Sequence, residues 1–129
     1  MFVGVSTNGT SPLSLQIGPS GGVVATGYLG GSGGATSGGA GNSAASTTGF
    51  RVGGNYSASS LWHGILTLRL ENSSSNTWVI SGALFDTGST NMYVTAGRIS
   101  LSGALAKISI TTDGGTDTFD AGEINYQYQ

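Results

Sequence analysis

The residues of this chain that most resemble catalytic machinery are Phe85-Asp86-Thr87-Gly88-Ser89. An apolar strand delivering Asp-Thr-Gly-Ser is the pattern on which aspartic-protease chemistry carries its carboxylate. That mechanism needs two carboxylates sharing a proton across a water, so a single copy could act only within a symmetric dimer. It also needs a second apolar-Gly-Arg element well downstream, and Gly97-Arg98 follows too soon. A polar Asx-type turn between two strands accounts for the same residues without chemistry. Asp113, Asp117, Asp120 and Glu123 fall close together among glycines and invite a calcium reading. Calcium takes about six to eight oxygens from one compact loop, and the spacing here does not repeat as calcium-binding β-rolls do. These acids are expected to cap turns and to pair with Arg98 or Lys107. His63 is the single histidine, no serine elbow precedes a helix, and no lysine follows the tract from Gly30 to Gly41. Neither a hydrolase triad nor a phosphate loop is formed. The expectation is a protein that is not an enzyme, with no catalytic, cofactor-binding or metal-ligating residue.

Composition sets what must hold such a chain together. It has 129 residues, enough for one hydrophobic core, and only 8% are charged. Gly, Ser and Thr are abundant while helix-favouring residues are scarce, which points to an all-β chain. Net charge is -2, and the basic residues are Arg51, Arg69, Arg98 and Lys107. Four scattered cations do not make a phosphate-neutralising stripe, so neither nucleic acid nor an anionic membrane is an expected partner. No apolar run is long enough for a membrane-spanning helix, and Met1-Phe2-Val3-Gly4-Val5 lacks the regions of a secretory signal, so synthesis in a cytoplasm is expected. With no cysteine, stability must come from burial and association. A surface so poor in charge is weakly protected against self-association.

Period-2 patterns place the strands. Leu13, Leu15 and Ile17 alternate with Ser14 and Gln16, and Val23-Val24 begins a second candidate strand ending near Tyr28. Trp62, Gly64, Leu66, Leu68 and Leu70 share one side of a strand, opposite His63, Thr67, Arg69 and Glu71. Asn72-Ser73-Ser74-Ser75-Asn76 then turns the chain into a strand with Trp78, Ile80, Gly82 and Leu84 on one side. A short strand lies around Met92-Tyr93-Val94, and Gly97-Arg98 is expected to break the chain. Ile99 and Leu101, then Ile108 and Ile110, alternate with polar residues. In the last strand Ile124, Tyr126 and Tyr128 face one way, after a corner anchored by Phe119 and a turn at Asp120-Ala121-Gly122. Seven or so short strands with frequent turns imply an antiparallel β-sandwich or jelly roll. Within that one domain, residues 1–49 form amino-terminal strands and a glycine-rich arm or loop, and residues 50–129 form the sandwich body. From Leu29 to Thr48 there is almost nothing to bury. Such a segment cannot offset its ordering entropy internally, so it is expected to lie as an arm on a neighbouring subunit or as a long loop on its own sandwich.

The stretch Leu101-Ser102-Gly103-Ala104-Leu105, then Ile108-Ser109-Ile110-Thr111-Thr112, then Gly115 through Phe119-Asp120-Ala121-Gly122-Glu123-Ile124-Asn125-Tyr126-Gln127-Tyr128, resembles the carboxy-terminal module of tailed-bacteriophage structural proteins. Leu15-Gln16-Ile17-Gly18-Pro19-Ser20-Gly21-Gly22, with Thr26-Gly27-Tyr28, is similar to the opening of small free-standing particle proteins of that kind. The resemblance implies a jelly-roll-like sandwich assembled as a homo-oligomer, most simply a trimer, on a virion, with no catalytic residue to carry over. No fibre shaft is present, so it implies a capsid decoration (cement) protein bound to the major capsid protein, with a tail or receptor-binding fibre-tip protein as the alternative. Aromatics with a polar tip suit a partly wet interface, and the candidate interface residues are Tyr28, Trp62, His63, Tyr93, Phe119, Tyr126 and Tyr128.

Overall fold

A computed structural model describes residues 1–39, 41–54, 56–114 and 116–128; Ala40 of the glycine tract and Gly115 of the late loop lie outside the described residues. Among those described, the regular elements are all strands: β1 (Phe2–Thr7), β2 (Leu13–Gly18), β3 (Leu29–Ala35), β4 (Gly41–Ala45), β5 (Phe50–Val52), β6 (Trp62–Asn72), β7 (Thr77–Asp86), β8 (Asn91–Ser100), β9 (Lys107–Thr112) and β10 (Phe119–Ile124). They form an all-β sandwich of a seven-stranded sheet, ordered β10-β1-β6-β7-β8-β3-β4, and a three-stranded sheet, ordered β5-β2-β9.

The period-2 residues do what their spacing requires. Trp62, Ile80, Leu84, Tyr93 and Ile99 on the large sheet face Leu13, Leu15, Ile17, Phe50 and Val52 on the small one, and all are buried. Burying each such side chain contributes about 1.5–3 kcal/mol relative to leaving it exposed. The small sheet's edge is tied across the layers by hydroxyls. Ser32 on β3 donates to the Gly53 carbonyl and Thr95 on β8 donates to that of Arg51 at 3.1 Å. Carbonyls that an edge strand would otherwise leave without a ladder partner are thus satisfied from the sheet beneath.

Several expectations need correction. Within the tract from Leu29 to Thr48, residues 29–35 and 41–45 are strands rather than an arm or a loop. Residues 29–35 pair with β8 from Leu29↔Arg98 to Ala35↔Met92, and 41–45 pair with 31–35 as the sheet's edge. Backbone hydrogen bonds supply the ordering that its side chains cannot. Residues 1–49 and 50–129 are joined in one fold, since β1 pairs with β6 and β10 while β2 pairs with β9. Gly97-Arg98 does not break β8. Gly97 lies against the Phe50 ring, where a Cβ would stand 2.9 Å from a ring carbon, so glycine keeps the strand continuous under the core. Finally, Val23-Val24 forms no strand. The Tyr28 hydroxyl accepts from the Ile17 N–H at 2.8 Å, and Val24 donates to the Ile17 carbonyl at 3.0 Å.

The interior position of β3 yields a test. A Cβ at Gly34 would overlap the Met92 carbonyl of β8, whereas one at Gly38 has nothing nearer than the Thr36 hydroxyl at 3.9 Å. Gly34→Ala should destabilise the fold by about 1–3 kcal/mol in urea unfolding, while Gly38→Ala stays within about 0.5 kcal/mol of wild type.

Candidate functional site

Asp86 ends β7 and is completely buried. One carboxylate oxygen accepts the N–H of Leu61 at 2.8 Å and that of Gly88 at 3.0 Å, and the other accepts the Ser89 hydroxyl at 2.5 Å. The Thr87 N–H in turn donates to the Leu61 carbonyl at 3.0 Å. A Cβ on Gly88 would overlap the Ser59 carbonyl, so the glycine of the motif is there for backbone approach. The Asp-Thr-Gly-Ser sequence is therefore a clamp that closes the β7–β8 turn onto the segment leading into β6. Its carboxylate oxygens are engaged by protein donors rather than presented to a substrate.

Two of the late acids are engaged by the amino-terminal segment rather than capping their own turns. Asp117 accepts the Ser11 N–H at 2.6 Å, and Asp120 accepts the Ser6 hydroxyl. The Asp113 N–H donates to the Pro12 carbonyl at 2.8 Å. Arg98, expected with Lys107 as a partner of these acids, pairs instead with Glu71 at 3.6 Å on the outward face of the large sheet. Among the described residues no group of three or more His, Cys, Asp or Glu is placed to hold a metal.

The candidate interface residues divide by burial. Tyr28, Trp62 and Tyr93 belong to the core and not to a surface, a correction with a clear cause. Trp62 packs on Tyr93 at 5.7 Å and on Tyr56 at 5.4 Å between ring centroids, and Tyr28 meets Phe50 edge to face at 4.9 Å. His63 is half-buried, its Nδ1 accepting the Gly4 N–H at 3.3 Å. Phe119, Tyr126 and Tyr128 are exposed, and the last two are 85% and 93% accessible. Residues 119–124 form β10 itself, with Gly122 at φ 89°, so Phe119 begins the strand rather than anchoring a corner before it.

A feature that aromatic residues alone do not reveal is the outward face of the large sheet. The small sheet's outward positions are polar, among them Gln16, Arg51, Ser109 and Thr111. The large sheet breaks that rule. Register places Ile65, Ala83, Val94, Gly33 and Ser43 in one outward row and His63, Phe85, Met92, Ala35 and Gly41 in the next. Ile65, Val94 and Met92 are 60%, 53% and 52% accessible. A shallow groove over β3 and β4, lined by Gly31, Gly33, Ser43, Ala45, Val94 and Ala96, continues the face. Arg69, Arg98 and Glu71 lie at one end of it. The signal in the sequence was Ile65, Phe85, Met92 and Val94 at positions opposite the core-facing set.

Two measurements follow. Asp86→Ala should cost about 3 kcal/mol or more in unfolding free energy, because it strands buried N–H donors, and Asp86→Asn should cost less because an amide oxygen keeps both backbone bonds. Burial pushes the phenols of Tyr28, Tyr56 and Tyr93 above their ordinary 10.0, with the Asp86 charge adding to the effect at Tyr93. Below pH 10 all three are neutral folded or unfolded, and their packing contribution is fully present. Above it the unfolded chain releases protons first, so stability falls as pH rises toward the raised folded values. Melting temperatures should therefore decline above about pH 10, and less steeply in Tyr93→Phe.

Compared with protein-family models, with curated proteins and with solved structures, the chain matches none of them.

Proposed function

We propose that this chain is a non-enzymatic structural protein of a tailed-bacteriophage virion, acting as a capsid decoration protein that binds and reinforces the head shell. The observation that carries this reading is the outward face of the large sheet, a broad apolar surface on a fold whose most reactive-looking carboxylate is spent on a turn. Such a surface suits a protein whose work is to pack against copies of itself and against neighbouring shell proteins. The sequence resemblance supplies the particle. A tail or fibre-tip role in receptor binding is the second reading. It is favoured by Tyr126 and Tyr128, two almost fully exposed amphipathic aromatics.

The test compares particles made with and without the gene. Decoration predicts that the chain is present in many copies per head by mass spectrometry, and that its loss lowers the temperature at which heads release DNA. Absence of the chain from purified particles overturns the proposal. Unchanged head stability combined with lost adsorption to the host replaces it with the tail reading.

A further inference from the structure

We infer that two copies of this chain pair through the outward face of the large sheet, about a two-fold axis running along β8. The face is divided across its width. On the β6–β7 side it carries bulk in Ile65 and Phe85, and on the β3–β4 side it is nearly flat, built from Gly31, Gly33, Ala35, Ser43 and Ala45. A two-fold contact must be self-complementary, since each residue i that meets j is matched by j meeting i. An axis along β8 is the operation that lays the bulky half of one copy on the flat half of the other. Ile65 then lies over Ser43 of the second copy, Ala83 over its Gly33, and Val94 meets Val94 at the axis. An axis across the strands would instead stack the two flat halves and leave a gap between them.

Size and charge agree with this occupant. Ile65, Phe85, Met92 and Val94 together leave on the order of 400 Å² of apolar side chain accessible, in the range where a chain's largest patch is often functional. Five strands about 4.8 Å apart give a footprint about 24 Å wide and, over the seven-residue β3–β8 pairing, about 23 Å long, so roughly 1,100 Å² over both partners, just above the roughly 1,000 Å² that a specific interface should clear. The central rows hold no Lys, Arg, Asp or Glu, so no charge is desolvated in the middle of the contact. Arg98, on β8 itself, meets its own copy at the end of the axis, and there Glu71 of each chain neutralises it. The glycine-rich strands gain a purpose here, as a platform low enough to receive the other copy's side chains. The subunit number is two, not the three implied by the resemblance, and the inference does not rest on the particle reading.

Purified full chain, examined by sedimentation equilibrium over a concentration series, should be a dimer. Ile65→Lys, at an exposed position, should weaken the pairing by on the order of tenfold or more. Adding Ser43→Asp to the same chain should restore it, because each lysine would then face an aspartate of the other copy. Ser109→Lys, on the polar outward face of the small sheet, should leave the dimer intact, and circular dichroism checks that each variant is folded. A wild-type monomer at high concentration, a trimer, a folded Ile65→Lys variant that still dimerises, or a folded double variant that does not regain the dimer would each overturn the inference.

Discussion

Trp62 lies where the two sheets are drawn together, and its ring is packed against backbone as well as against other rings. Gly53 runs so close over it that a Cβ would stand 2.7 Å from a ring carbon, and Gly54 does the same to Tyr93 at 2.6 Å. Gly53 sits at φ 76°, a conformation that L side chains rarely adopt. These two glycines let the chain leaving β5 cross directly over the aromatic layer, which brings the small sheet's edge within reach of Ser32 and Thr95. Without that close approach the hydroxyls would have no carbonyl to satisfy. The strand they hold would lose its seat on the core.

From this seating follows the shape of the surface. Three strands cannot cover seven, and the small sheet takes only the inward side of the large one. The layer pairing uses the residues in phase with Trp62, leaving those in phase with Ile65 outside whatever their chemistry. On an antiparallel sheet with one face in water those positions are ordinarily polar. Here Ile65, Phe85, Met92 and Val94 keep them apolar, and the small sheet's outward face, with Gln16 and Arg51, shows that the same chain can follow the usual pattern. The asymmetry belongs to one face rather than to the composition as a whole.

Where side chains set the strands, the sequence was easily read. Leu13 to Ile17, Trp62 to Leu70, Trp78 to Leu84 and Ile108 to Ile110 alternate cleanly, and each is a strand. Legibility fails where backbone does the work. β3 and β4 hold no apolar period, and only their partners on β8 make them strands. β1 is interrupted by Gly4 at φ 62°, which shifts register and turns its N–H toward His63. Gly122, opposite it, displaced the reading of β10 in the same way. Tyr28, Trp62 and Tyr93 read as interface aromatics because a polar tip suits a wet surface, and the sequence does not show that the core takes all three in. The Asp86 turn was legible as a turn, since its Asx chemistry is local.

The pairing at the two ends of the chain has a mechanical consequence. Met1 donates its amino group to the Asn125 carbonyl at 2.6 Å, and the Asn125 N–H donates to the Met1 carbonyl at 2.9 Å. A pull applied between these two residues opens the β1–β10 pair like a zip, one bond of about 1 kcal/mol at a time, rather than shearing many bonds together. Behind it, β1 holds β6 only at Phe2↔Gly64 and Val5↔Trp62. Tension applied between these residues would therefore peel away β1 and β10 while β6, β7 and β8 stay laced across ten residue pairs on either side of β7. A load meant to be resisted has to enter through the broad faces, where it presses on packed side chains instead of unpicking a ladder.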